Sequence, residues 1–198
     1  MRKGKNIFYT FPERDSSFEL EERDDTHVSI THIETNLGLM IAAATHKGIC
    51  LFEYTDYKRL DVELRQLGAS LNVPLVKADN PHLDALREQI GQYFKGERRE
   101  FDIPLDMVGT EFQKQVWLGL LQIPYGHTIT YVEQSDLLGK RDALRAVAGA
   151  NGRNKISIIV PCHRVIGAKG SLVGYGGGIW RKEKLLKLER KNIERISL

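Results

Sequence analysis

Only two cysteines occur in the 198 residues, Cys50 and Cys162, and they lie far apart. That scarcity excludes a disulfide framework and points to a reducing, cytoplasmic setting. No apolar run approaches the roughly 20 residues that a bilayer span needs, so no membrane association is expected. Met1 to Phe11 leads into neither an apolar core nor a small-residue cleavage site, which argues against a secretory leader. Charge of one sign is also sparse: a net +3 and a pI near 8.8 permit a nucleic-acid partner without demanding one. Metal-ligand spacing is missing as well, because Cys50 has no cysteine neighbour and His27, His32, His46 and His82 follow no ligand pattern. Neither a metal nor a cofactor is expected.

What is present is enough for a core, with 41% hydrophobic residues distributed over two differently patterned halves. Residues 1–27 read as a charged tail, since Glu19, Glu21, Glu22, Arg23, Asp24 and Asp25 crowd together without periodicity. Val28–Ile33, Leu39–Thr45 and Ile49–Tyr54, parted by Asn36-Leu37-Gly38 and Thr45-His46-Lys47-Gly48, predict a small antiparallel sheet. Leucines at 60, 64 and 67, and then Leu83, Leu86, Ile90 and Phe94 after Pro81, recur at helical spacing, with Gly96 as a stop. An N-terminal α+β domain over residues 28–103 follows, with 104–109 as a linker.

A second domain, 110–198, opens at Thr110, whose partner Gln113 completes a capping-box signature for a helix striped by Phe112, Val116 and Leu120. Two short helices, Tyr131–Leu138 and Asp142–Gly152, are spaced as a helix-turn-helix. Ile156, Ile158, Ile159 and Val160 predict a short buried strand ended by Pro161, and a Gly-rich loop over residues 167–178 leads to a last helix, Trp180–Ile196.

Two constellations carry chemistry. Cys162 and His163 follow the buried run directly, and an imidazole beside a thiol can favour the nucleophilic thiolate. Adjacent residues need not face each other, but Glu189 adds a third group. Leu185, Leu186 and Ile193 flank it at helical spacing, so it projects from an apolar stripe and needs a partner. It orients His163 in a Cys-His-acid arrangement, or it snorkels towards solvent, or it pairs with a structural arginine. The other constellation is the helix at 142–152. There Leu144, Val147, Ala148 and Asn151 are expected to face inward, leaving Arg145, Ala146, Gly149, Ala150 and Arg153 outward. Small residues between arginines suit close approach to a phosphate-lined groove, or the packing of another domain.

These residues together resemble the O6-alkylguanine-DNA alkyltransferases. The likeness rests on Pro161-Cys162-His163-Arg164-Val165, Phe112-Gln113, Ile123-Pro124-Tyr125-Gly126, Thr130-Tyr131, Arg145-Ala146-Val147, Asn154, Gly174-Tyr175-Gly176-Gly177-Gly178, and Lys182 through Leu185-Leu186 to Glu189. It implies an α+β protein in which a small ribonuclease H-like α/β domain precedes a mostly helical, winged-helix-like helix-turn-helix domain. It also implies a monomer that repairs double-stranded DNA by irreversible, single-turnover transfer of the alkyl group of O6-alkylguanine, or of O4-alkylthymine, onto Cys162. By that resemblance His163 is a water-mediated base held by Glu189, and Asn154 ties the helix-turn-helix to the site. Tyr131 donates to guanine N3, and Arg145 fills the stack left by the flipped base. Ala146, Gly149, Arg153 and Arg164 belong to the DNA-contacting set in the minor groove, while Val165, Tyr175 and Gly176 bound the base and alkyl pocket.

Two departures concern rigidity: Lys155 follows Asn154 where many members carry proline, and Gly139-Lys140-Arg141 lacks the proline often found before the recognition helix. A cysteine hydrolase and a non-catalytic DNA-binding regulator are the competing readings. The first leaves Arg145 and the small-residue helix unexplained, and the second leaves Cys162 and Glu189.

Overall fold

The computed structural model describes residues 26–194. The tail reading for residues 1–27 falls almost entirely outside them, as do the last residues of the expected final helix. Strands β1 (Val28–Thr35), β2 (Gly38–Thr45) and β3 (Gly48–Tyr54) form the antiparallel meander that the turn signals predict. Helices α1 (Leu60–Leu71) and α2 (Pro81–Lys95) follow, separated by β4 (Leu75–Val76). This two-residue strand pairs parallel to β1, so the sheet is mixed rather than purely antiparallel, in the order β3-β2-β1-β4. Its brevity left no periodic signal.

Alternation along β2 divides the core. Met40, Ala42 and Ala44 join one buried cluster, whereas Ile41 and Ala43 join another beneath α1. The first cluster also takes Leu86, Ile90 and Tyr93 from α2 and Trp117, Leu120, Val160 and Leu185 from the C-terminal half. One continuous apolar core therefore spans the sheet and the helical half.

Helix α3 (Glu111–Leu121) begins at a complete capping box, in which the Thr110 side chain accepts from Gln113 N and the Gln113 side chain accepts from Thr110 N. Then come β5 (Ile129–Thr130), α4 (Tyr131–Leu137), a 3-10 turn at Arg141–Ala143, α5 (Leu144–Asn151), β6 (Val165–Ile166) and α6 (Ile179–Glu194). Gln134 and Asn151 exchange side-chain hydrogen bonds of 3.1 and 2.6 Å, which lock α4 against α5. Parallel pairing of β5 with β6 sets the start of α4 beside the segment that follows Cys162.

Three expectations need correction. The strand expected over residues 156–160 is a buried turn, because Ile158 has φ +73°, a left-handed conformation that breaks a strand and is costly for a β-branched residue. The outward face assigned to Ala150 is wrong: it is 2% exposed, since it falls three residues after buried Val147 on the same stripe. Leu144, placed inward, stands at the first residue of a helix shorter than expected and is 37% exposed. In addition, the segment expected as a linker runs along the sheet. Leu105 bridges Ile49, Ile49 N donates to Pro104 O, and Thr45 Oγ1 donates to Asp106 Oδ2 at 2.7 Å.

Candidate active site and nucleic-acid interface

Cys162 opens a 3-10 turn, Cys162–Arg164, directly after Pro161, and is 8% exposed. Asn154 Nδ2 lies 3.3 Å from its Sγ and also donates to Val160 O at 2.8 Å, while Asn154 Oδ1 accepts from Ile156 N. One buried amide thus fixes both ends of the turn and touches the thiol. Burial pushes the thiol pKa up to about 11, against the opposing pull of the Asn154 hydrogen bond and the Lys182 charge. At rest the group is a thiol rather than a thiolate.

His163 and Glu189 are both fully buried, with Nε2 2.9 Å from Oε1. An ionised carboxylate only accepts, so Nε2 carries the proton and Nδ1 is left as an acceptor. That Nδ1 is buried without a hydrogen-bond partner. Burial lowers the His163 pKa, opposed by Glu189. For Glu189, burial acts to raise the pKa, but His163 and Arg164 outweigh it and hold the carboxylate at about 2.

Glu189 gathers more donors than an orienting role needs. Tyr93 Oη donates to Oε1 at 2.8 Å and Gly126 N to Oε2 at 2.9 Å. Arg164 reaches both oxygens at 3.0 Å through Nε and Nη2, and its Nη1 donates to Ile123 O at 2.7 Å. Two of the open readings of Glu189 therefore hold at once: it binds His163 and an arginine. The assignment of Arg164 to a DNA-contacting surface is corrected accordingly, because its 6%-exposed side chain is committed to the interior. Tyr93 and Gly126 were invisible in sequence, since nothing in their spacing relates them to residue 189.

Around the thiol, Lys182 Nζ donates to Val165 O and Val173 O at 2.6 Å each, tying the Gly-rich loop to β6. Burial lowers its pKa to about 8. Tyr131, first residue of α4, brings its hydroxyl within 3.4 Å of Gly174 O, and burial raises its pKa. Gly174 has φ +60°, and a Cβ there would sit 2.7 Å from that hydroxyl, so glycine is required on both counts. Tyr175 stands edge-on to His163 with ring centroids 6.4 Å apart, and Gly176, next to it, is exposed.

On α5, Arg145 and Ala146 are exposed and Gly149 is half-buried, and just past the helix end exposed Arg153 folds its Nη1 back to Gly149 O at 3.3 Å. The outward surface is small-residued between two arginines, and the helix itself is anchored inward by Trp117 Nε1 donating to Ala150 O at 2.8 Å. Among the described residues no group of three His, Cys, Asp or Glu side chains is placed to hold a metal. No helix among them is long and apolar enough to cross a membrane.

A helical domain that carries a buried cysteine, a histidine locked by a carboxylate and a helix-turn-helix is thus joined to a sheet domain. Residues 29–107 match the 6-O-methylguanine DNA methyltransferase ribonuclease-like domain, and residues 111–191 match the DNA binding domain of the same family. A methylated-DNA–protein-cysteine methyltransferase of Methanosarcina barkeri is 41% identical over 163 residues, covering 81% of this chain and 96% of that one. The chain belongs to this methyltransferase family. A relative of the same description from Mycolicibacterium paratuberculosis is 58% identical over 105 residues, 53% of this chain, a match that spans only 64% of the relative's length. The crystal structure of Mycobacterium tuberculosis OGT in complex with DNA superposes with a TM-score of 0.70 at 40% identity, covering 84% of this chain and 94% of that one.

Proposed function

We propose that this protein repairs DNA by moving the alkyl group of O6-alkylguanine, or of O4-alkylthymine, irreversibly onto Cys162, and is spent after one turnover. The observation that carries the reading is the buried array of Asn154, Cys162, His163 and Glu189. It puts a buried thiol held by Asn154 next in the chain to a buried imidazole whose proton is fixed by a negative charge. The name of the M. barkeri relative supports the acceptor, and the DNA complex of M. tuberculosis OGT supports the partner.

In this reading Sγ attacks the alkyl carbon in line, the new S–C bond forms as the C–O6 bond breaks, and the electron pair leaves with the purine. The thiol proton passes through water to His163 Nδ1, the acceptor left by the Glu189 bond. Tyr131, kept protonated by its raised pKa, donates a hydrogen bond to guanine N3 and offsets the charge that develops on the leaving base, which then takes its proton from solvent. The product thioether has no route back to thiol at neutral pH. Val165, Tyr175 and Gly176 bound the base and alkyl pocket. Arg145 fills the stack vacated by the extruded nucleotide, while Ala146, Gly149 and Arg153 lie along the minor groove. We assign the N-terminal unit, residues 28–103, to a ribonuclease H-like fold and residues 110–198 to a winged-helix-like one, joined by 104–109, and the protein to a monomeric, cytoplasmic state.

Intact mass after mixing with an O6-methylguanine duplex tests this. A stoichiometric gain of one methyl group is expected. Binding without a mass change leaves only a DNA-binding regulator, and transient acylation by an ester substrate indicates a hydrolase.

A further inference from the structure

The sheet has its own connection to the reacting cysteine. Residues 155–157 lie along the outer edge of β3: Phe52 N donates to Lys155 O and Ser157 N to Phe52 O, each at 2.8 Å, and Ile156 bridges Phe52. Beside that pairing stands Glu53, a carboxylate 2% exposed next to the end of a fully buried strand. Its Oε1 accepts from Tyr54 N at 2.9 Å and its Oε2 accepts from the Ser157 hydroxyl at 2.8 Å. Ser157 is the residue before Ile158, whose left-handed backbone lets the turn deliver Pro161 and Cys162. A strained residue persists only where its surroundings over-determine it. The Glu53 to Ser157 bond anchors the residue immediately before it.

Charge at Glu53 also reaches the site. The groups that act on it electrostatically or share its polar cluster are Glu63 from α1, Arg181 from α6, Tyr57 after β3, Tyr54, Tyr175 and Cys162. The Tyr54 and Tyr175 hydroxyls lie close enough to influence each other's ionisation but close no well-aligned hydrogen bond, so the cluster is polar without being saturated. Burial raises Glu53 to about 7, and its negative charge raises the thiol of Cys162.

We propose that Glu53 is a positioning residue for alkyl transfer: through Ser157 it holds the turn that delivers Cys162. The N-terminal domain thereby takes part in the reaction rather than only supporting the fold. This rests on the reading of Cys162 as acceptor. It makes two separable demands: a carboxylate-shaped acceptor for position, and a negative charge for the thiol.

The test uses the full chain in a Cys50→Ala background and compares the parent with Glu53→Gln, Glu53→Ala and Ser157→Ala. Single-turnover transfer from an O6-methylguanine duplex gives the plateau rate, and iodoacetamide alkylation of Cys162 against pH gives the thiol midpoint. Glu53→Gln, which keeps shape and removes charge, is expected to move the midpoint down by about one unit. Glu53→Ala is expected to lose about tenfold in plateau rate with DNA affinity unchanged, and Glu53→Gln to recover most of that. If Glu53→Ala does not fold, Ser157→Ala carries the positional arm, and its plateau must fall. An unchanged midpoint in Glu53→Gln, or plateau rates equal to the parent in whichever positional variant folds, overturns the proposal. A parent that transfers nothing sinks instead the assignment of Cys162, and the two failures are told apart by that one control.

Discussion

Arg164 and His163 are consecutive in the chain, yet both end on the same carboxylate: Nε2 of the one at 2.9 Å and Nη2 of the other at 3.0 Å from Glu189 Oε1. The tight 3-10 turn at Cys162–Arg164 makes this convergence possible, because an extended segment would send neighbouring side chains to opposite sides. Glu189 is thereby fixed from two directions before any substrate arrives.

Replacing Glu189 by Gln is expected to slow transfer by on the order of 100-fold, the lower end of what positioned acid–base groups supply. Acid stability should change with it. The folded pKa of about 2 lies below the ordinary glutamate value of 4.5, so the stability this group contributes is complete above pH 4.5 and is lost as pH falls through about 2. Melting curves from pH 6 to pH 2 should show a steep loss in the parent and a shallower one in Glu189→Gln. Identical slopes would remove Glu189 from this role.

Cys162→Ala is expected to abolish transfer and to leave DNA binding largely intact, because the exposed arginines lie on α5 and not on the cysteine turn. Cys50→Ala should transfer at the parent rate. Cys50 lies in the sheet core, and burial pushes its thiol up to about 12, so it stays protonated. Peptide mapping after reaction decides the point, and an alkyl group on Cys50 would reverse the assignment.

Gly174→Ala is expected to impair transfer more than its strain of about 1–3 kcal/mol would suggest, because the added methyl group displaces the Tyr131 hydroxyl. Comparing the single-turnover rate with the melting temperature separates the two effects. A rate loss that only follows stability would mean that Tyr131 does not donate to the leaving base.

Arg145→Ala is expected to slow repair in duplex DNA by about tenfold or more, yet to leave reaction with free O6-benzylguanine near normal where the pocket admits it. Weakened phosphate attraction alone would be cured by more DNA, whereas a flipping defect persists in the saturated rate and shrinks at a mispaired target. Equal losses on duplex and free base would remove the finger role.

Local signals were legible where one physical cause dominated. Thr110 and Gln113 announced α3, the Asn36-Leu37-Gly38 turn announced the first hairpin, and Glu189 betrayed itself as a carboxylate among leucines. Signals failed where two causes read alike. An apolar run such as Ile156 to Val160 suits a buried strand and a buried turn equally, and only the positive φ of Ile158 separates them. Arg164 entered the DNA-contacting set by resemblance alone, and its partner lies 25 residues away on another helix, where no local pattern points to it. Glu53 and Ser157, 104 residues apart, left no trace in spacing at all.

The outer edge of β3 carries a consequence for synthesis. Its open backbone groups are taken by Pro104 and Asp106, around Leu105, and by Lys155 and Ser157, around Ile156, all translated long after the strand itself. Until those segments emerge, the growing chain presents a bare, apolar edge able to pair with another nascent copy. The pairing at Ile156, which shields the later part of the strand, lies in the segment that leads into the cysteine turn, so that part of the edge is covered only once the chain has reached the reactive site. Chains truncated before residue 156 should form sticky, self-associating sheets and no pocket.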